Sequence, residues 1–140
     1  MEKDVIISIK GVQRYENADP DTMELVTAGR LEREGNSYTL SYQESELTGL
    51  EGTLTTFQIE PERITLMRVG GFNSQMVFQE GRRHMSMYNT PYGAMTIGVN
   101  TRHLLAELDD QGGEIEIDYA IEIDHSVAGR NTFQINVKEA

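Results

Sequence analysis

The sequence predicts an all-β protein: a single antiparallel up-and-down β-barrel of about ten strands. Three observations lead to this prediction. Apolar residues recur at every second position along most of the 140-residue chain, which is the pattern of half-buried strands. Turn-forming residues interrupt these runs at short, fairly even intervals. No segment of about twelve residues has a convincing helical periodicity.

The predicted strands follow one another along the chain. The first alternating run covers residues 5–10, and the second and third cover 23–32 and 38–43. The clearest covers 114–124, where Ile or Tyr at every second position alternates with a row that is acidic except for Ala120. We interpret its acidic row as a solvated outer face that discourages aggregation; the row is Glu114, Glu116, Asp118, Glu122 and Asp124.

Turn segments separate these runs. Gly allows positive φ, Pro presets φ, and Asn or Asp hydrogen-bonds its own backbone, so each segment has a physical reason to turn. The segments are 17–21, 34–36, 48–52, 60–62, 70–71, 80–81, 91–93, 109–113 and 128–129. Short connections favour a closed barrel over a sandwich, because little chain is left for Greek-key crossings and closure removes exposed edges.

One segment is ambiguous. Leu104, Leu105 and Leu108 within 101–108 also fit a helical turn. No linker or repeat is visible, and we expect residues 1–140 to form a single domain.

Composition and charge narrow the function classes. The chain has 38% apolar and 25% charged residues, which is ordinary for a globular protein, and it has no cysteine for a disulfide, thiolate metal site or nucleophile. No secretion signal and no membrane-spanning apolar run are visible, so we expect a cytoplasmic protein without membrane association. Twelve Lys and Arg against 23 Asp and Glu give a net charge of -11, which argues against a nucleic-acid partner.

Several short motifs follow one another along the chain: Tyr42-x-Glu44, Gly52 followed by Thr55-Thr56, Arg68-x-Gly70, Tyr88-x-Thr90-x-x-Gly93, Thr101 and Tyr119. In this order and spacing they make the chain resemble the YwiB-like proteins. These are small bacterial β-barrels of the calycin (lipocalin-like) type, whose biochemical function is not established. The resemblance implies a ten-stranded barrel and a cytoplasmic protein, and it implies no activity.

Several polar residues fall at the same alternate positions of a strand as apolar residues, so we expect them to point into the lumen. They are the candidate ligand-binding groups. A buried charge costs several kcal/mol unless it is paired, so we predict that Arg68 points inward and pairs with Glu44. Alternatively, both lie near strand ends and close one mouth of the barrel. The full candidate set is Arg68, Glu44, Tyr42, Tyr88, Thr90, Gln13 and His84.

Catalytic and metal motifs are not recognisable. The widely spaced His84, His103 and His125 match no ligand motif, and no nucleophile has a visible base. We therefore expect no metal and no cofactor, and we lean against an enzyme.

Two function hypotheses follow. In the first, the barrel binds a small, partly apolar or anionic ligand in its lumen, anchored by Arg68 with help from Tyr88. In the alternative, it is a protein-interaction or structural barrel whose lumen is filled by its own side chains. About eight strands already leave just enough room for either outcome.

Overall fold

The computed structural model describes residues 1–15, 18–46, 49–71, 73–90, 93–123 and 126–140, with the backbone alone for 87–90. The predicted turns at 17–21, 48–52 and 91–93 lie partly outside these residues. No described residues form a helix long and apolar enough to cross a membrane. The described strands are β1 (Glu2–Arg14), β2 (Asp21–Glu34), β3 (Ser37–Gln43), β4 (Thr53–Ile59), β5 (Ile64–Gly70), β6 (Ser74–Phe78), β7 (Arg83–Thr90), β8 (Gly93–Asp109), β9 (Gly112–Ile123) and β10 (Ser126–Glu139).

The ten strands form one closed antiparallel barrel in which each strand pairs with its sequence neighbours. The first and last strands close the ring through pairs that run from Val5 with Glu139 to Arg14 with Arg130. The predicted all-β class, strand number and up-and-down connectivity are therefore confirmed. The strand β9 buries Ile115 and Ile117 and alternates them with more exposed acidic residues, as its sequence predicts.

The ambiguous segment 101–108 is part of β8, not a helix. The register of β8 with β9 shifts between Thr101 and His103, so Arg102 is the extra residue of a β-bulge. Before the bulge Thr101 faces the interior, and after it Leu104 and Leu108 do. Because of the bulge, the inward-facing residues of β8 are odd-numbered before Arg102 and even-numbered after it. This switch gave the segment its apparent helical spacing in the sequence.

The inner faces of the strands pack together as one apolar core, which fills the middle of the lumen. The rings of Phe78 on β6 and Tyr119 on β9 lie with their centroids 4.7 Å apart, although β7 and β8 separate these two strands in the ring. Tyr119 also packs against Phe133, at 5.9 Å between centroids. The interior at this level is therefore occupied by the protein's own side chains.

The two ends of the barrel differ. We call the end where β1 finishes and β2 begins the mouth, and the opposite end the base. At the base, the Tyr38 hydroxyl donates to the carboxylate of Asp110 at 3.3 Å, and Arg33 Nε lies 3.2 Å from the same carboxylate. Because β3 and the β8–β9 turn lie on opposite sides of the ring, these contacts tie the base across its width.

One place in the barrel wall is weakly joined. The strands β6 and β7 share a single residue pair among the described residues, Ser74 with Tyr88. Every other ladder between neighbouring strands contains at least five pairs. We call this one-pair ladder the β6–β7 seam.

Candidate functional site

A cavity of about 220 Å³ opens at the mouth, between β1, β2, β9 and β10. We call it the mouth cavity. Strand alternation places two neighbouring rows of inner-face side chains around it, one polar and one apolar. The inner-face residues that line it are Gly11, Gln13, Asp21, Met23, Tyr119, Asn131 and Phe133.

The polar row crosses four adjacent strands. Asp21 pairs with Gln13, Gln13 pairs with Asn131, and Asn131 pairs with Tyr119. Cross-strand partners project from the same face of a sheet at close spacing, so these four side chains stand next to one another. The row supplies a carboxylate, two carboxamides and a phenol to one wall of the cavity.

The apolar row lies one step deeper. Gly11 is the cross-strand partner of both Met23 and Phe133. A Cβ added at Gly11 would meet Phe133 Cε1 at 3.4 Å and Met23 Cε at 3.7 Å, which is ordinary van der Waals contact. The missing side chain of Gly11 therefore leaves space above an aromatic floor made by Phe133 and Tyr119.

Asn131 is the most unusual polar residue of this cavity. It is 6% exposed, and no hydrogen bond joins its carboxamide to another described side chain or backbone group. The buried side-chain atoms without a partner among the described residues are Arg68 Nε, Thr101 Oγ1 and Glu122 Oε2, so the carboxamide of Asn131 is not sealed inside the protein. Because Asn131 lines the cavity, its two donors and its acceptor are available to a molecule in that space.

Gln13, in contrast, accepts a hydrogen bond from a residue that does not line the cavity. The hydroxyl of Tyr15 donates to Gln13 Oε1 at 3.0 Å. The ring of Tyr15 lies over Gly129, where an added Cβ would approach Tyr15 Cε1 to 3.1 Å. With its oxygen engaged by Tyr15, the carboxamide of Gln13 retains Nε2 as a donor.

A second polar cluster occupies the wall made by β3, β4 and β5. Tyr42 pairs with Thr55, and Thr55 pairs with Arg68. Thr55 Oγ1 donates to Glu44 Oε1 at 2.7 Å, and the Tyr42 hydroxyl also hydrogen-bonds the Glu44 side chain. Burial, followed by the negative charge of Glu44, raises the pKa of Tyr42 well above its ordinary value.

The predicted ion pair between Arg68 and Glu44 is not among the ion pairs of the described residues. The strand β4 lies between β3 and β5, and Glu44 stands two residue pairs further along than Arg68, beside Thr53. Both charges instead act on the phenol of Tyr42, with opposite effects on its pKa. The Nε of Arg68 is buried without a hydrogen bond.

The other predicted site residues are dispersed. Gln13 lies at the mouth cavity, whereas His84 is half-buried near the base and contacts Gln79 Oε1 through Nε2 at 3.0 Å. The side chains of Tyr88 and Thr90 lie outside the described residues. Tyr42, Glu44 and Arg68 form one cluster, and Gln13 belongs to a different group of residues.

Sequence reasoning missed Asn131 and Asp21 as cavity residues. The signal for Asn131 was present, because it continues the parity of Phe133 and Ile135 on β10. Among the described residues no group of three His, Asp or Glu side chains is placed to hold a metal ion, and His125 lies outside those residues.

Comparisons with known proteins agree with this architecture. The profile of the family described as Domain of unknown function (DUF1934) matches residues 7–135. The crystal structure of ywiB protein from Bacillus subtilis superposes with a TM-score of 0.87 at 20% identity, over 99% of this chain and 93% of that one. No curated protein matches the chain. The YwiB-like resemblance is thus confirmed, and the chain belongs to the family described as Domain of unknown function (DUF1934).

Proposed function

We propose that the protein is a binding module that takes a small, partly apolar molecule into the mouth cavity. The observation that supports this most is Asn131, a nearly buried carboxamide that has no partner among the described residues and lines an open space. Small-molecule sites are typically apolar concavities with a few placed polar groups, and the mouth cavity has this composition.

The size of the cavity limits the ligand. A cavity of about 150 Å³ is known to hold benzene, so 220 Å³ suits one substituted ring or a fused pair of rings. The floor of Phe133 and Tyr119 favours a flat, aromatic face.

The proposed ligand position differs from the centre of the lumen. Phe78 and Tyr119 fill the middle of the barrel, so at that level the interior is occupied by side chains. The proposed ligand would therefore bind only at the mouth. The proposal includes neither a cofactor nor the Arg68 cluster as an anchor. The cytoplasmic location, the absence of a nucleic-acid partner and the absence of membrane association stay part of the proposal, on sequence grounds.

An outer groove favours a second candidate function, protein interaction. A concavity of about 380 Å³ lies on the outward faces of β1, β2, β9 and β10. Glu24, Glu114 and Glu116 surround Lys10 there, so a complementary partner would present a basic segment.

Indole binding tests the first proposal. The chain has no Trp, so indole fluorescence reports the environment of the probe itself. We expect saturable binding with amide NMR shifts concentrated around Gly11 and Asn131. Gly11→Leu fills the cavity and should abolish binding, while Ser8→Leu places the same side chain on the outer face of the same strand and should leave binding unchanged. Loss of indole binding with Ser8→Leu alone, or absence of saturable binding of both indole and the purine probes described below, would overturn the proposal.

A further inference from the structure

We infer that the ligand of the mouth cavity is an uncharged nitrogen heterocycle with a hydrogen-bond donor next to an acceptor, as in a free nucleobase, and that phosphorylated forms are disfavoured. The inference rests on the proposed function and adds a ligand class to it. It depends on three features of the cavity: the edge of Asn131, the flat floor, and the sign of the charge.

The first feature is the hydrogen-bonding pattern. The planar carboxamide of Asn131 presents a donor beside an acceptor, which is the pattern with which Asn and Gln bind the N6 and N7 edge of adenine. Its cross-strand neighbour Gln13 has its oxygen engaged by Tyr15 and so adds a donor. Asp21, the next partner along the row, adds an acceptor. A ligand that satisfies this wall needs both donors and acceptors around one ring system.

The second feature is the floor. The rings of Phe133 and Tyr119 lie 35° apart in orientation, and Tyr119 is fixed from below by Phe78. Every nucleobase has a π-face that stacks on aromatic side chains. Met23 is 41% exposed at the edge of the cavity, and its flexible thioether can adapt to rings of different outline.

The third feature is charge. Among the described residues that line the cavity, none is Lys, Arg or His, and Asp21 is acidic. The chain as a whole carries a net charge of -11. Arg14 and Arg130, the pair next to Gln13 and Asn131, have the outward parity of their strands and do not line the cavity. A phosphate inside the cavity would therefore meet Asp21 and no basic side chain, so the free base or its nucleoside suits the cavity better than a nucleotide.

NMR titrations with four probes test this inference: adenine, purine (which lacks the exocyclic amine), indole and AMP. We expect adenine to bind roughly tenfold or more tighter than purine, in line with the discrimination of a bidentate amide contact. AMP should bind more weakly than adenine, and Asp21→Asn should narrow that difference. Asn131→Leu keeps the side-chain volume, so it should weaken adenine by about 5- to 150-fold and leave indole nearly unchanged.

The outcomes separate the two proposals. If indole binds in a Gly11→Leu-sensitive manner but adenine and purine bind equally, the ligand class is wrong and the binding function stands. If AMP binds as tightly as adenine, the charge argument is overturned. If none of the four probes binds to the wild-type protein, both proposals fail. The ranking of adenine over purine is measured on the wild type, so it does not depend on the folding of any variant.

Discussion

Gln13 on β1 and Asn131 on β10 are cross-strand partners, so two carboxamides stand side by side where the first strand of the barrel meets the last. Their environments are opposite. Gln13 is exposed and held by Tyr15, whereas Asn131 is nearly buried and has no partner among the described residues. Because residues from both ends of the chain build the mouth cavity, the cavity forms only once β1 and β10 have paired.

Removal of the Tyr15 hydroxyl should weaken ligand binding through Gln13. Tyr15→Phe deletes one hydrogen bond at a half-exposed position, so we expect adenine affinity to fall a few-fold and the free energy of unfolding to change by less than about 1 kcal/mol. NMR titration and urea unfolding measure the two quantities. In a Gln13→Ala background the same change should have no further effect on adenine; a further loss there would show that Tyr15 acts by another route.

Glu44 should matter more for stability than Arg68. Glu44→Leu leaves the hydroxyls of Tyr42 and Thr55 buried without their acceptor, which should cost about 2–4 kcal/mol. Arg68→Met keeps much of the apolar stem and breaks no ion pair among the described residues, so we expect a cost below about 1 kcal/mol. Urea melts of both variants test this. Equal losses, with non-additivity in the double variant, would restore a direct Arg68–Glu44 interaction.

Tyr42 should make the protein sensitive to alkali. Its pKa is raised in the folded state by burial and by Glu44, so the folded protein retains the phenol proton more strongly than the unfolded chain does. The corresponding stabilisation is complete below the ordinary pKa of about 10 and is lost as pH rises through the folded value. Urea unfolding between about pH 8 and 11 should therefore show a steeper decline for the wild type than for Tyr42→Phe.

The matched control for this measurement is Phe57→Leu, a buried change on neighbouring β4 that also lowers stability but removes no titrating group. Its decline with pH should parallel that of the wild type. If Tyr42→Phe also runs parallel to the wild type, Tyr42 is not the source of the alkaline loss.

The bulge at Arg102 should tolerate both truncation of its side chain and removal of the residue. Arg102→Ala removes only an exposed pair with Asp118 at 3.5 Å, and we expect a change of about 0–1 kcal/mol. Deletion of Arg102 leaves Thr101 opposite Tyr119 and His103 opposite Asp118, so Leu104 and Leu108 still face inward, and we expect a cost below about 3 kcal/mol. Circular dichroism melts measure both changes. A deletion variant that fails to fold would mean that the extra residue itself, and not only the ladder on either side of it, is required.

The fold could be predicted from the sequence because its evidence is local. Alternation along 5–10 or 114–124 and the intervening turns determine strand position and inward face residue by residue. Parity also identified Glu44 correctly as buried. The bulge at Arg102 escaped prediction, because a one-residue parity change within an apolar segment has the same appearance as a helical spacing.

The candidate site was less predictable because it depends on relations between strands. Alternation in the sequence places Arg68 and Glu44 on the inner face. Which residues become their neighbours depends on the position of β4 between them and on the register of the ladders, and those neighbours are Tyr42 and Thr55. The neighbourhood of Gln13 and Asn131 depends on the register between β1 and β10, which are joined by no turn that could indicate it.

The barrel wall should open most readily at the β6–β7 seam. Release of the single pair between Ser74 and Tyr88 would convert the closed ring into a curled sheet while every other ladder stays intact. Such an opening breaks few hydrogen bonds between strands, so amide hydrogens of β6 and β7 should exchange with solvent through local openings rather than through global unfolding. The same opening would expose two strand edges, and edges of this kind pair readily with those of another chain. Because the other strands are paired on both sides, strand exchange between molecules should occur most readily at the β6–β7 seam.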